Sequence, residues 1–231
     1  MLSANHLLKA LLAGDERILA EWIAQATLRR IIWLGGVTFL TCALYGSTFG
    51  LWRSELQSFY TALKFPVVVL LTCAANALLN GSLAHALGLG LGFRQSTLII
   101  LMSFTSMGLL LAAFAPVLQF VWWNLPAPDD PLALTGKNIT LLTHVVAIAL
   151  AGIVANRRLW LLIFHLTGSR PKATLILWIW LGSNLLLGSQ ISWILRPWIG
   201  STVSPLTFFS TEPLRGNFFE AVWESLLQLL R

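Results

Sequence analysis

The sequence predicts an all-α, polytopic membrane helical bundle with five transmembrane helices and amphipathic surface helices at both ends. Three observations lead there. Charged residues make up 10% of the 231 positions, against roughly 25% in a soluble domain, too few to coat a globule in water. Mean hydropathy is +0.77. Five apolar runs, at 31–51, 66–88, 97–121, 139–156 and 174–195, approach the about 20 residues that cross the hydrocarbon core as a helix.

Ahead of the first run, residues 1–30 form surface helices. Ile18, Leu19, Trp22, Ile23 and Ala26 recur at helical spacing, so one stripe is apolar. Asp15 and Glu16 open this helix and Arg29 and Arg30 close it, which suits the helix dipole. Gly14 separates it from an earlier amphipathic segment. With three acids, the N-terminus does not have the pattern of a cleaved signal peptide.

The second run ends in NALLNGSLAHALGLGLGFRQS. Its GLGLG is not a phosphate loop, because Phe93-Arg94 follows where Gly-Lys-Ser/Thr is required. Nor does it match the dinucleotide spacing G-x-G-x-x-G. Glycines here allow the tight reversal between the second and third crossings, and Arg94 is placed to reach headgroup phosphates. Between the third and fourth crossings, NLPAPDDPLALTGKN is a turn-rich connection. Asn138-Ile139-Thr140 is a formal glycosylation sequon, but it abuts a crossing and reads as fortuitous.

The stretch RRLWLLIFHLTGSRPK either extends the fourth helix or turns along the surface, and Gly168 and Pro171 end it in both cases. Residues 196–231 form a tail with an amphipathic helix at 217–231. Asn217 and Glu220 have the spacing of a capping box. Phe218, Val222, Leu226 and Leu229 then face one way, and Glu220, Glu224 and Gln228 the other.

Orientation follows from the cations. With the N-terminus inside, Lys9, Arg17, Arg29, Arg30, Arg94, Arg157, Arg158, Arg170 and Lys172 are inner. Arg53, Lys64, Lys137, Arg196, Arg215 and Arg231 are outer. Nine against six, crowded at helix ends, favours a cytoplasmic N-terminus and an outer C-terminus, as in a bacterial inner-membrane protein. Arg157 and Arg158 join Arg94 as headgroup contacts. The net charge of +6 is thereby explained by the membrane, and no basic, aromatic-interleaved run suggests nucleic acid. The tryptophans near span ends, among them Trp52, Trp122, Trp123 and Trp198, match an interfacial belt.

Polar groups inside the crossings carry what functional signal there is. Asn76 and Asn184 fall near the bilayer midplane, with Thr41, Asn80 and Ser106 at related positions. A buried asparagine costs several kcal/mol unless it is hydrogen-bonded, so these residues are expected either to join helices or to line a midplane pocket for a lipid or small substrate. Ala77, Gly81, His85 and Gly88 share one helical face, as do His144, Ala147, Ala151 and Ala155. Small residues at that spacing admit a neighbouring backbone.

His85 and His144 lie at opposite depths, so they cannot clamp one haem; each could ligate a pigment singly. No cofactor or metal is predicted. Cys42 and Cys73 lie in apolar runs with no metal spacing around them. The predicted crossings hold no Asp or Glu, the usual carriers of proton or cation coupling. No catalytic motif is present, and a non-enzymatic role is expected.

The order of parts over residues 65–120 resembles the Yip domain family, five-span membrane proteins that interact with Ypt/Rab GTPases. It is carried by a second crossing with small residues and a histidine (NALLNGSLAHALG), a glycine turn with FRQS, and a third crossing closing on LLLAAFAPV. The resemblance implies membrane organisation or recruitment of a protein partner. A second reading is an accessory subunit of a larger respiratory, photosynthetic or secretory complex, with other membrane subunits as partners. A third is a small transporter or lipid-handling protein using the midplane polar layer.

Overall fold

The computed structural model describes the backbone over 4–86, 92–200 and 206–230, and the side chains of those residues except 4–5 and 80–86. Eight helices are present among the described residues. They are α1 (Ala4–Ala13), α2 (Glu16–Ala24), α3 (Leu28–Leu51), α4 (Glu55–Ala86), α5 (Phe93–Trp123), α6 (Ala133–Thr167), α7 (Arg170–Ile194) and α8 (Phe218–Leu230). Five of them, α3 to α7, are long and apolar enough to cross a membrane, and the chain is a multi-pass membrane protein.

Local chemistry sets the boundaries. Gly14 takes φ +75° between α1 and α2, and Asp15 accepts from the backbone N–H groups of Arg17 and Ile18, both at 3.2 Å, satisfying donors that the first turn leaves open. Gly168 closes α6 at φ +62°, and Pro171 follows in the first turn of α7. The capping box of α8 forms in both directions: Asn217 N donates to Glu220 Oε2 at 3.2 Å and Glu220 N to Asn217 Oδ1 at 3.0 Å.

One reading left open by the sequence is resolved, and one helix differs from the sequence expectation. The stretch 157–167 continues α6, whose 35 residues extend about 52 Å, past a hydrocarbon core of about 30 Å. The overhang and α5 form the platform on which α2 packs, while α1 rests on α2 and α5 and is reached from the overhang by Arg158. The second crossing begins at Glu55, not at residue 66, with Pro66 inside the helix. A proline in a membrane helix is tolerated where neighbouring groups satisfy the freed carbonyl. Only Trp52, Arg53 and Ser54 connect α3 to α4, and Lys64 moves from a connection into the helix.

That short connection forces α3 and α4 together, and glycine makes the approach possible. On Gly46, a Cβ would meet Phe65 Cβ and the Thr61 carbonyl oxygen at 2.7 Å; on Gly50 it would overlap the Gln57 backbone. The pair forms a small-xxx-small seam, which draws helices together where lipid removes the hydrophobic drive. Gly108 of α5 opens equivalent room for Thr41 of α3.

Two cores result. Towards the N-terminal face, Leu7, Leu11, Leu19, Trp22 and Ile23 pack with Leu98–Met102, Leu159 and Leu162. The apolar stripes of α1 and α2 are thus spent on the bundle itself. Towards the opposite, C-terminal face, Tyr45, Phe49, Phe65, Leu111, Trp122 and Ile199 form the second core. Helix α7 turns much of its apolar surface outward, with Trp178 65% and Leu186 64% exposed, as a lipid-facing helix does.

Candidate functional site

The polar chemistry converges on one face of α4. Gln57, Thr61, Lys64, Thr72 and Asn76 follow at intervals of four, three, eight and four, so they fall on one stripe of a 3.6-residue helix. All five are buried. Polar groups at membrane depth are costly unless paired, so the partners of this stripe define the site.

At the inner end of the stripe, Asn76 Nδ2 donates to Asn184 Oδ1 at 2.6 Å and to the Thr72 carbonyl at 2.9 Å. Ser183 Oγ donates to Asn76 Oδ1 at 2.6 Å. Both asparagines therefore meet across α4 and α7, with Ser183 as a third member that sequence reasoning missed. Its signal was available, since it adjoins Asn184 and Asn76 has two polar ends to satisfy. One turn outward, the Thr72 hydroxyl has no hydrogen-bond partner among the described residues and lies 3.6 Å from where a Cβ on Gly188 would stand.

Lys64 and Gln57 occupy the other end. Lys64 is 1% exposed, nine residues into α4. Its Nζ donates to the Pro197 carbonyl at 3.0 Å and lies 4.8 Å from the Phe208 ring centroid. Gln57 Nε2 donates to the Pro197 and Trp198 carbonyls at 3.2 and 2.6 Å. No carboxylate among the described residues pairs with Lys64; a carbonyl dipole and a ring face replace it. The Pro197–Trp198 turn is held from its own side. Arg196 donates to the carbonyls of Trp193, Glu212, Pro213 and Arg215 and stacks on Trp193 at 4.1 Å. The tail beyond α7 is thus bound into the bundle. The sequence carried no sign of this, because the acceptors are main-chain carbonyls.

Beside the turn sits the aromatic core. Tyr45 Oη and His144 Nδ1 share a hydrogen bond of 2.9 Å between α3 and α6. Phe49 stacks on the imidazole with centroids 3.7 Å apart, and Trp198 packs on Phe49 at 5.4 Å. His144 Nε2 is buried and completes no hydrogen bond among the described residues, although the Thr48 backbone lies close. His144, a pigment-ligand candidate on sequence grounds, is here a helix-joining group fixed through Nδ1. Ala147, Ala151 and Ala155, on its face of α6, are all buried.

At the rim of the same face, Trp52 Nε1 donates to the Pro126 carbonyl at 2.9 Å and its ring lies against Gly136. A cleft of about 300 Å³ opens there, lined by Leu51, Trp52, Gln119, Trp122, Trp123 and Leu125. Arg53 reaches from the α3–α4 connection to Gly200. Partial burial holds the Arg53 guanidinium below its ordinary pKa.

The remaining sequence candidates separate. Thr41 spends its hydroxyl on the Val37 and Thr38 carbonyls of its own helix, and Ser106 is buried in α5. The α3–α5 hydroxyl bond is made instead by Thr38 and Thr105 at 2.8 Å. The reason is periodicity: Thr38, Cys42, Tyr45 and Phe49 form the buried face of α3, and Thr41 flanks it. Ala77 is buried in α4. Asn80, Gly81, His85 and Gly88 lie outside the residues whose side chains are described, and of the GLGLG segment only Gly92, which precedes α5, is described.

At the N-terminal face Arg94 and Arg157 are exposed, but Arg158 is not free for headgroups. Its Nη1 and Nη2 donate to the Leu11 and Leu12 carbonyls at 2.7 Å each, capping the end of α1 where helix carbonyls lack partners. Asn138 is equally occupied: 4% exposed, it donates to Gln228 Oε1 at 2.9 Å. Gln228 is exposed, as its place on the polar side of α8 predicts, and its side-chain oxygen reaches α6. Cys42 and Cys73 are free thiols in separate cores, and the described residues hold no group of three or more His, Cys, Asp or Glu able to bind a metal. Neither a protein-family model, nor a curated protein, nor a solved structure matches the chain.

Proposed function

We propose that the chain is a non-enzymatic membrane-organising protein, acting on the leaflet at its C-terminal face, which is the outer one if the basic N-terminal face is cytoplasmic. The observation that carries this reading is the state of α8. That helix is joined to the bundle by Asn138–Gln228, and its first turn is closed by its own capping box. Yet Phe219, Trp223 and Leu230 remain 50%, 60% and 76% exposed. Their spacing of four and seven puts them on one stripe, and an amphipathic helix of that kind buries its apolar face in the headgroup–acyl boundary. Lipid is the partner such a stripe fits, with Trp223 at interfacial depth. A membrane-organising role is also what the Yip resemblance implies.

Interior polar groups support a structural role, because the asparagine layer, the threonine pair and Tyr45–His144 are joined to one another between helices. The test is a photo-crosslinking amino acid in place of Trp223, activated in native membranes. Phospholipid adducts are the expected product. A single protein adduct in stoichiometric yield would replace this reading with that of an accessory subunit docked through α8.

A further inference from the structure

We propose that the seam between α4 and α7 binds a water molecule where Thr72 faces Gly188, one turn from the asparagine layer, and that this water enters from the C-terminal face. The two helices run antiparallel, so their positions pair in order along the seam. Asn76 meets Asn184, Thr72 faces Gly188, and Lys64 meets Pro197 just beyond the end of α7. Hydrogen bonds close the first and last of these pairings. The middle one stays open: the Thr72 hydroxyl is buried and has no hydrogen-bond partner among the described residues.

A threonine inside a helix has a bond at hand in its own backbone, to the carbonyl three or four residues back. The other buried threonines among the described residues, Thr38, Thr48, Thr61, Thr105 and Thr140, all take it. Thr72 does not, although the Val68 carbonyl occupies that position in its helix. Its side chain is turned instead towards a glycine. A Cβ on Gly188 would stand 3.6 Å from both Thr72 Oγ1 and Thr72 Cγ2, and it would touch no other described side chain within 4 Å. That leaves room beside the hydroxyl for a group of water's size.

Depth and chemistry select the occupant. Thr72 lies one turn, about 6 Å, from the midplane layer, within a hydrocarbon half about 15 Å thick. Lipid has no polar atom at that depth, and an unbonded hydroxyl there is costly. Water finds about three partners, as buried waters do. They are Thr72 Oγ1, the Val68 carbonyl through its second lone pair, and Asn184 Nδ2, which donates to no described residue while Oδ1 accepts from Asn76. Towards the C-terminal face the same stripe of α4 continues polar. Gln57 Oε1 is buried without a partner among the described residues, and Lys64 spends a single N–H on Pro197. Towards the N-terminal face α7 buries Ala173 and Ile176, which offer water nothing, so the hydrated seam ends at the asparagines.

The test is water-edited solid-state NMR of the full, isotope-labelled chain in phosphatidylcholine liposomes. Thr72 should receive magnetisation from water several-fold faster than Thr105, which is also buried but bonded to Thr38 and to the Leu101 carbonyl. Gly188→Ala, whose methyl makes only ordinary contact with Thr72, should bring Thr72 down to the Thr105 rate with the fold kept. Thr72→Val, which identifies the Thr72 signal by its loss, should lower Tm. In a dry seam the same change removes an unbonded hydroxyl and leaves Tm unchanged or raised. Equal build-up at Thr72 and Thr105 in the wild type overturns the proposal, as does a Thr72→Val variant whose Tm does not fall. A Thr72 rate that Gly188→Ala leaves unchanged overturns the assignment of the water to this position.

Discussion

Replacing Asn76 by Leu tests the physical basis of the midplane layer. The substitution keeps the branched shape and removes two interhelical bonds, to Asn184 Oδ1 and from Ser183 Oγ, each at 2.6 Å. Hydrogen bonds between membrane helices contribute about 0.6 to about 1.7 kcal/mol each, so Asn76→Leu should cost about 1 to 3 kcal/mol. Ser183→Ala should cost less, because the Ser183 hydroxyl also bonds the Ile179 and Trp180 carbonyls of its own helix. Pairing Asn76→Leu with Asn184→Leu removes the same bond twice, so the double variant should fall short of the summed single effects by about 1 kcal/mol. Equilibrium unfolding in mixed micelles measures all four proteins. An additive cycle, or an Asn76→Leu variant within about 0.5 kcal/mol of wild type, would refute the glue argument and return these asparagines to a pocket for a ligand.

Other consequences follow from contacts elsewhere. Gly50→Ala would drive a methyl into the Gln57 backbone and should destabilise by about 2 kcal/mol or more. Gly182→Ala and Gly152→Ala meet nothing and should be neutral or gain up to about 1 kcal/mol of helix propensity; the same unfolding assay ranks the three. Tyr45→Phe strands His144 Nδ1 and should cost about 1 to 3 kcal/mol, read as a drop in Tm. Cys42 and Cys73, at 0% and 4% exposure, should resist maleimide labelling in the folded protein and react after denaturation. Arg158→Ala frees the Leu11 and Leu12 carbonyls and should raise amide exchange across α1 without changing that of α4.

How much of this could be read from the residues depends on the kind of partner each group takes. The five crossings follow from composition and length, since nothing else buries that many apolar residues. Asn76 and Asn184 could be matched because both lie at one depth and an amide at that depth must find another polar side chain. Lys64 could not be placed, because the apolar run begins only at residue 66, which leaves Lys64 in the outer connection before it. The acceptor it uses, the Pro197 carbonyl, has no signature in sequence: every residue carries one. The GSTFG seam of α3 had the spacing of a packing motif, but its partner is a three-residue turn away, and only the turn makes the pairing obvious. The stripes of α1 and α2 look the same whether lipid or protein covers them. The core that they share with α5 and the overhang of α6 decides between the two.

Helix α4 shows why the tail belongs to the membrane fold rather than hanging from it. A helix carrying Gln57, Thr61, Lys64, Thr72 and Asn76 on one face cannot turn that face to lipid, where a lysine alone costs about 3 kcal/mol by insertion scales. Thr61 is satisfied within its own helix, through the Gln57 and Ser58 carbonyls. Asn76 waits for α7, and Gln57 and Lys64 wait for the Pro197–Trp198 turn that follows α7. The α3–α4 hairpin can therefore close early through Gly46 and Gly50, whereas the polar stripe is complete only once residues as far as Phe208 have docked. On that order of assembly, a chain ending before Pro197 would insert its crossings yet leave Lys64 without an acceptor. Water or another subunit would then have to supply one. The pairing of polar groups in membranes, each buried group meeting a partner or being removed, thus assigns Pro197, Trp198 and Phe208 a place in the stability of α4.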